Sequence, residues 1–186
     1  MAQRAIFLEL QSQASVRIEK TFGLANSRPI VAFFSSSKTF WPLKLNDFGS
    51  APSIGNYGCV MIGPKGQNVD VVAHELMHQE LHDRVGSWRM LTEVPVWFNE
   101  GVAMQLDFRP RYSLAEKPGH APDTSGVREL KLAHQFNHGN GEQVTQHYAF
   151  AKAEIARWLS NVGHDGLYRS LERIRAGERF DDVLAN

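Results

Sequence analysis

Cysteine is nearly missing from this chain: Cys59 stands alone among 186 residues. A single thiol excludes an internal disulfide and every zinc module that draws two or more thiolates from one chain, and it mildly favours a reducing compartment. Net charge is missing too. Twenty basic residues offset twenty acidic ones, so no global field draws the chain to nucleic acid or to an anionic membrane surface. No stretch approaches the roughly 18 apolar residues that a membrane span needs. The opening M-A-Q-R-A-I-F-L-E-L-Q also lacks an apolar core followed by a small-residue cleavage site. The chain as given therefore reads as soluble and cytoplasmic, an expectation that a removed signal or anchor would overturn. Internal repeats and low-complexity segments are absent.

What remains is the composition of one globular domain, 42% hydrophobic and 22% charged, large enough to bury a substantial core. Apolar residues at Ile6, Leu10, Ala14, Ile18 and Phe22 predict an amphipathic helix ending at Gly23. The run from Pro29 to Phe34 predicts a buried strand. Residues 35–56, rich in Ser, Pro, Gly and Asn, predict a long irregular connection of the kind that lines clefts. Tyr57 to Ile62 predicts a second strand closed by Gly63-Pro64. A helix is expected from Val69 to about Arg84, and another from Thr92 or Glu93 through Leu106 with Pro95 in its first turn. Residues 107–126 predict a mobile loop between two lobes, about 1–90 and 91–186, and two or three helices are expected over 128–184.

The first helix after the second strand carries the chemistry. V-V-A-H-E-L-M-H-Q-E-L-H-D, residues 71–83, places His74 and His78 four apart, on one helix face, where both can reach one ion. Glu75 falls one position round, where it suits a general base better than a ligand. His82 lies about 12 Å along the axis from His74 and is expected outside the ligand set. An accidental H-E-x-x-H in such a chain arises at on the order of a few per cent, so the motif needs support. Two histidines also leave a zinc site one protein ligand short. The metzincin extension fails, because Leu81 occupies its glycine position and Arg84 its last histidine position. Glu100, in P-V-W-F-N-E-G-V-A, would complete a His2Glu set from a separate helix. Glu93 is the competing carboxylate, although its place before Pro95 suits capping.

His74, Glu75, His78 and the W-F-N-E-G-V-A segment together resemble the gluzincin metallopeptidases, in particular the small peptidase-MA-like zinc proteins and the catalytic domain of the aminopeptidase-N group. The likeness extends more loosely over about residues 25–184. It implies an α+β, zincin-like fold, with a small N-terminal mixed sheet, an active-site helix and a helical C-terminal lobe. It also implies one Zn2+ per chain on His74, His78 and Glu100, a peptide or protein substrate, and Glu75 as general base. The segment Q-H-Y-A-F-A resembles the family helix whose tyrosine faces the zinc, which makes Tyr148 the candidate oxyanion donor and His147 its alternative. Tyr148 equally continues the apolar stripe of Val144, Ala151 and Ile155. The resemblance further suggests Tyr57–Ile62 as an edge strand that pairs with substrate, against an ordinary interior strand. The G-x-M-E-N motif of aminopeptidase-N relatives is replaced by G-N-Y-G-C-V-M-I-G, which holds no acid to bind a free amine. Aminopeptidase specificity is therefore not expected. The competing readings are a catalytically silent zinc scaffold and a metal-free helical protein.

Overall fold

The computed structural model describes residues 2–36, 46–54, 57–114 and 123–185. Helix α1 spans Ala2–Phe22 and stops at Gly23, whose φ of 93° suits glycine and whose N–H returns to the Glu19 carbonyl. Ala14, Ile18 and Phe22 are buried as expected, but Ile6 is 58% exposed. Only the second half of α1 feeds the core.

Four short strands follow: β1 Ile30–Phe33, β2 Gly49–Ser50, β3 Ser53–Ile54 and β4 Tyr57–Ile62. β1 runs parallel to β4, with Ile30 opposite Cys59, while β2 and β3 are antiparallel to β4 on its other side. Two expectations are corrected here. β4 is the interior strand of the sheet, so its backbone is already paired and cannot serve as a substrate edge. Among the described residues β1 is an edge strand rather than a buried one, with Ile30 70% exposed.

Helix α2, Val69–Val85, is capped by the Asn68 side chain, whose Oδ1 accepts from the Val71 N–H at 3.1 Å. Asp70 in its first turn pairs with Arg17 of α1 at 2.7 Å. The helix is buried on most sides, so its polar core residues need partners. Glu80, fully buried, accepts from the Asn26 and Ser27 N–H groups and from Arg84. Arg84 also donates to the Leu24 carbonyl and lies over the Tyr168 ring. That network fixes the α1–β1 connection to α2.

The single helix expected from Thr92 or Glu93 to Leu106 is instead α3, Ser87–Thr92, and α4, Val96–Ala103, followed by a 3-10 helix, Met104–Leu106. Pro95 stands at the N-cap of α4 with extended ψ of 150°, not inside its first turn. Proline disfavours helical backbone at the residue before it, which separates the two helices. Glu93 is the C-cap residue of α3, with its carboxylate 3.9 Å from Arg89.

Beyond α4 come 3-10 helices at Pro110–Tyr112 and Ser125–Glu129. The expected inter-lobe loop falls outside the described residues at 115–122. Four helices close the chain: α5 Ala133–Phe136, α6 Gly141–Val162, α7 His164–Ala176 and α8 Phe180–Leu184. The protein is thus α+β, mostly helical with one small mixed sheet. A single apolar cluster runs from Ala14 of α1 through α2, α4 and α6 to Val183 of α8, so both expected lobes share one core. Phe98 meets Trp158 and Phe180 edge-on at its centre. Gly101 lets α4 approach α6 closely, since a Cβ there would lie 2.6 Å from the Ala151 carbonyl oxygen. Among the described residues no helix is long and apolar enough to cross a membrane.

Candidate metal centre

The fold divides the W-F-N-E-G segment of α4 into separate tasks. Trp97 and Phe98 point into the core, Gly101 permits the contact with α6, and Asn99 and Glu100 are left facing α2. His74 and His78 of α2 present their Nε2 atoms 3.0 Å apart, and Glu100 Oε2 lies 3.3 Å from the first and 3.5 Å from the second. Ligands about 2.0–2.1 Å from a tetrahedral zinc ion stand roughly 3.3 Å from one another. The three separations bracket that value. Glu100 Oε2 is buried without a hydrogen bond, so it faces the imidazoles as an ionic neighbour. Two imidazole nitrogens at 3.0 Å with a carboxylate oxygen beside them need a cation or a proton among them, because lone pairs alone repel. The group His74, His78, Glu100 could therefore hold a metal ion, and its donor set suits zinc.

The surroundings favour that use. His78 Nδ1–H donates to Asn99 Oδ1 at 3.0 Å, which leaves Nε2 bare toward the centre. In the metal-free protein burial alone would lower the His78 pKa, but the Glu100 carboxylate, helped by Glu75 and Asn99, lifts it to about 9. Burial acts to raise the Glu100 carboxyl, yet the two imidazoles hold it well below the usual carboxylate range. Glu75 is buried and its pKa is raised, chiefly by that burial, with the two imidazoles acting the other way. Its carboxylate rests on β2. A Cβ at Gly49 would fall 2.6 Å from Glu75 Oε1, so glycine at 49 leaves the room that Glu75 occupies. Gln79, one turn along α2, donates to the Ala51 carbonyl at 2.7 Å and pins the segment after β2 beside the helix.

These residues form one side of a cleft of about 660 Å³, within the usual range for ligand sites. Gly49 to Pro52, Arg109, Tyr112 and Tyr148 make up much of the rest. Tyr148 lies with its ring 6.4 Å from that of His74, where the α6 stripe reaches the cleft. The Glu100 charge, then burial, raises its pKa well above that of free tyrosine. His147 turns away: its Nδ1–H donates to the Phe136 carbonyl at 2.7 Å, and it does not line the cleft. His82 lines the cleft outside the ligand group, and burial lowers its pKa. Glu93 stays apart. Sequence reasoning assigned no role to Asn99, Gly49, Gln79 or the Arg109–Tyr112 wall. Asn99 had a signal, its place beside Glu100, and Gln79 had one in its place on α2 beside His78; Gly49 and the Arg109–Tyr112 wall come from segments whose position depends on tertiary folding.

No family model, curated protein or solved structure matches the chain.

Asn99→Ala should leave the fold intact and weaken metal affinity about 10- to 100-fold, the usual cost of losing a group that orients a ligating imidazole. Competition with a chromogenic chelator reads this directly. Unchanged affinity would mean that something other than Asn99 fixes the His78 ring.

Proposed function

We propose that this protein is a zinc-dependent peptidase of the gluzincin type, with a zincin-like fold, acting on peptide or protein substrates. In this reading His74, His78 and Glu100 hold one zinc ion, Glu75 is the general base and Tyr148 steadies the carbonyl oxygen. The observation that carries it is the convergence of three ligand atoms at tetrahedral spacing beside a buried carboxylate that is not a ligand.

A zinc ion held there would supply Lewis acidity, polarising a carbonyl and making water more acidic. The protein's own groups do the rest. Glu75, with its pKa raised by burial, is a better proton acceptor near neutrality than an exposed carboxylate. It takes a proton from water as the C–O bond forms and returns it to the amine as the C–N bond breaks. Tyr148 stays protonated over the working pH range and can donate its O–H to the oxygen that gains charge. Among the described residues β2 is paired on one side only, with β4, and Gly49 to Pro52 border the cleft. Such an edge suits an extended peptide backbone. Glu75 and Glu100 are the only carboxylates that line the cleft among the described residues, which supports action other than removal of a free N-terminal residue.

The test is hydrolysis of unstructured proteins and internally quenched peptides by zinc-loaded protein. Cleavage that a chelator stops and zinc restores is the expected result. Folded, zinc-replete protein that cleaves nothing across such a panel would favour a silent zinc scaffold instead.

A further inference from the structure

One wall of the cleft is built from two arginines and two aromatic rings. The Arg109 guanidinium lies 5.7 Å from the Phe48 ring centre and 5.0 Å from that of Tyr112, and Arg111 lies 5.2 Å and 4.6 Å from the same two rings. The two cations differ in one respect. Arg109 is neutralised by Asp107, a fully buried carboxylate that it grips with both Nε and an Nη. Arg111 is exposed, and among the described residues it has no carboxylate partner. Contact with two rings, together with a side-chain hydrogen bond to the Tyr112 hydroxyl, restricts the Arg111 head, while its other N–H donors meet no carboxylate among the described residues. A guanidinium so held presents a fork that matches a carboxylate.

The wall also stands at a useful place. The Tyr112 ring is 5.8 Å from Tyr148, and Tyr148 is 6.4 Å from His74. Arg111 is therefore two rings removed from the metal centre. With extended chain advancing about 3.3 Å per residue, a group about two to four residues from the reacting bond can reach it.

We propose that Arg111, braced by Phe48 and Tyr112, is a carboxylate-binding subsite that selects peptides bearing an acidic side chain or a free C-terminal carboxylate a few residues from the metal centre. This rests on the peptidase reading above, and it names the substrate class for that site. Arg109, already paired with Asp107, shapes the wall and keeps Tyr112 in place.

Binding separates the subsite from the chemistry. Zinc-loaded Glu75→Gln protein would be titrated with three dansyl-capped Ser/Gln/Ala peptides. One carries an internal glutamate and an amidated end, one is neutral with a free C-terminal carboxylate, and one is neutral and amidated. At least one of the first two should bind about tenfold more tightly than the third, the scale of one charge-assisted hydrogen bond. The tighter of the two identifies the carboxylate's source. Adding Arg111→Gln should bring that peptide to the level of the neutral one, Arg111→Lys should keep part of the preference, and zinc content and thermal midpoint should stay those of the Glu75→Gln parent. Equal binding of all three peptides, no binding of any, or a preference that survives Arg111→Gln would overturn the subsite. Carboxylate-selective binding by a protein whose parent never cleaves would remove the peptidase reading and leave the subsite standing. Cleavage with no carboxylate preference would do the reverse.

Discussion

Replacing Glu75 with Gln is expected to leave about one zinc ion per chain and to lower peptide hydrolysis by about 10²- to 10⁴-fold, the usual contribution of a positioned general base. The metal should stay because Glu75 lies outside the group, His74, His78 and Glu100, that could hold it. The fold should stay because glutamine has the same shape, and Gly49 leaves room for that shape and little more. Only the ability to accept a proton is lost. Parallel measurement of zinc content and initial rate on a quenched peptide distinguishes the outcomes. Full activity in the variant would remove Glu75 from the mechanism, and loss of zinc would place it among the ligands.

Glu80→Ala should be the most damaging single change away from the centre, costing about 3–5 kcal/mol, the range for breaking a buried charged pair from one side. Glu80 is wholly buried, and three donors depend on it: the N–H groups of Asn26 and Ser27, and the Arg84 guanidinium. Without it, Arg84 keeps the Leu24 carbonyl, the Tyr168 ring and the exposed Glu172 carboxylate at 3.8 Å, but loses its buried charge partner. Urea unfolding gives the free-energy difference directly. Glu80→Gln, which can still accept from the two N–H groups, should fall between the parent and the alanine variant. A loss under about 1 kcal/mol in Glu80→Ala would mean that water enters and satisfies these groups, because exposed pairs contribute only that much.

The residues that converge were readable because each belongs to a local pattern. His74 and His78 are fixed by helix periodicity alone, and Glu100 by a short segment of one helix. The α2 boundaries were legible for the same reason, with Asn68 capping one end and Gly86 closing the other. Placement in the sheet was not legible. Whether β4 is an edge or an interior strand is decided by β2 and β3, each two residues long, too short to leave a periodic trace. The division between α3 and α4 was hidden by reading Pro95 as the first helical turn when it caps the helix from outside. His147 and Tyr148 are neighbours about 100° apart around α6. Only the position of Phe136, which takes the His147 ring, shows which of them faces the cleft. Gly49, Arg109 and Arg111 reach the site on or beside very short elements whose placement depends on the whole fold, so their residue types carried no signal by themselves.

The most direct measurement is the zinc content of protein purified without added metal, by elemental analysis, for the parent chain and for Glu100→Ala. About one zinc per chain in the parent and a clear loss in the variant is the expected result, because Glu100 is the one member of the candidate group that comes from outside α2 among the described residues. A parent chain that holds no zinc and cannot be loaded with it would contradict a metal centre at His74, His78 and Glu100, and the peptidase proposal would fall with it.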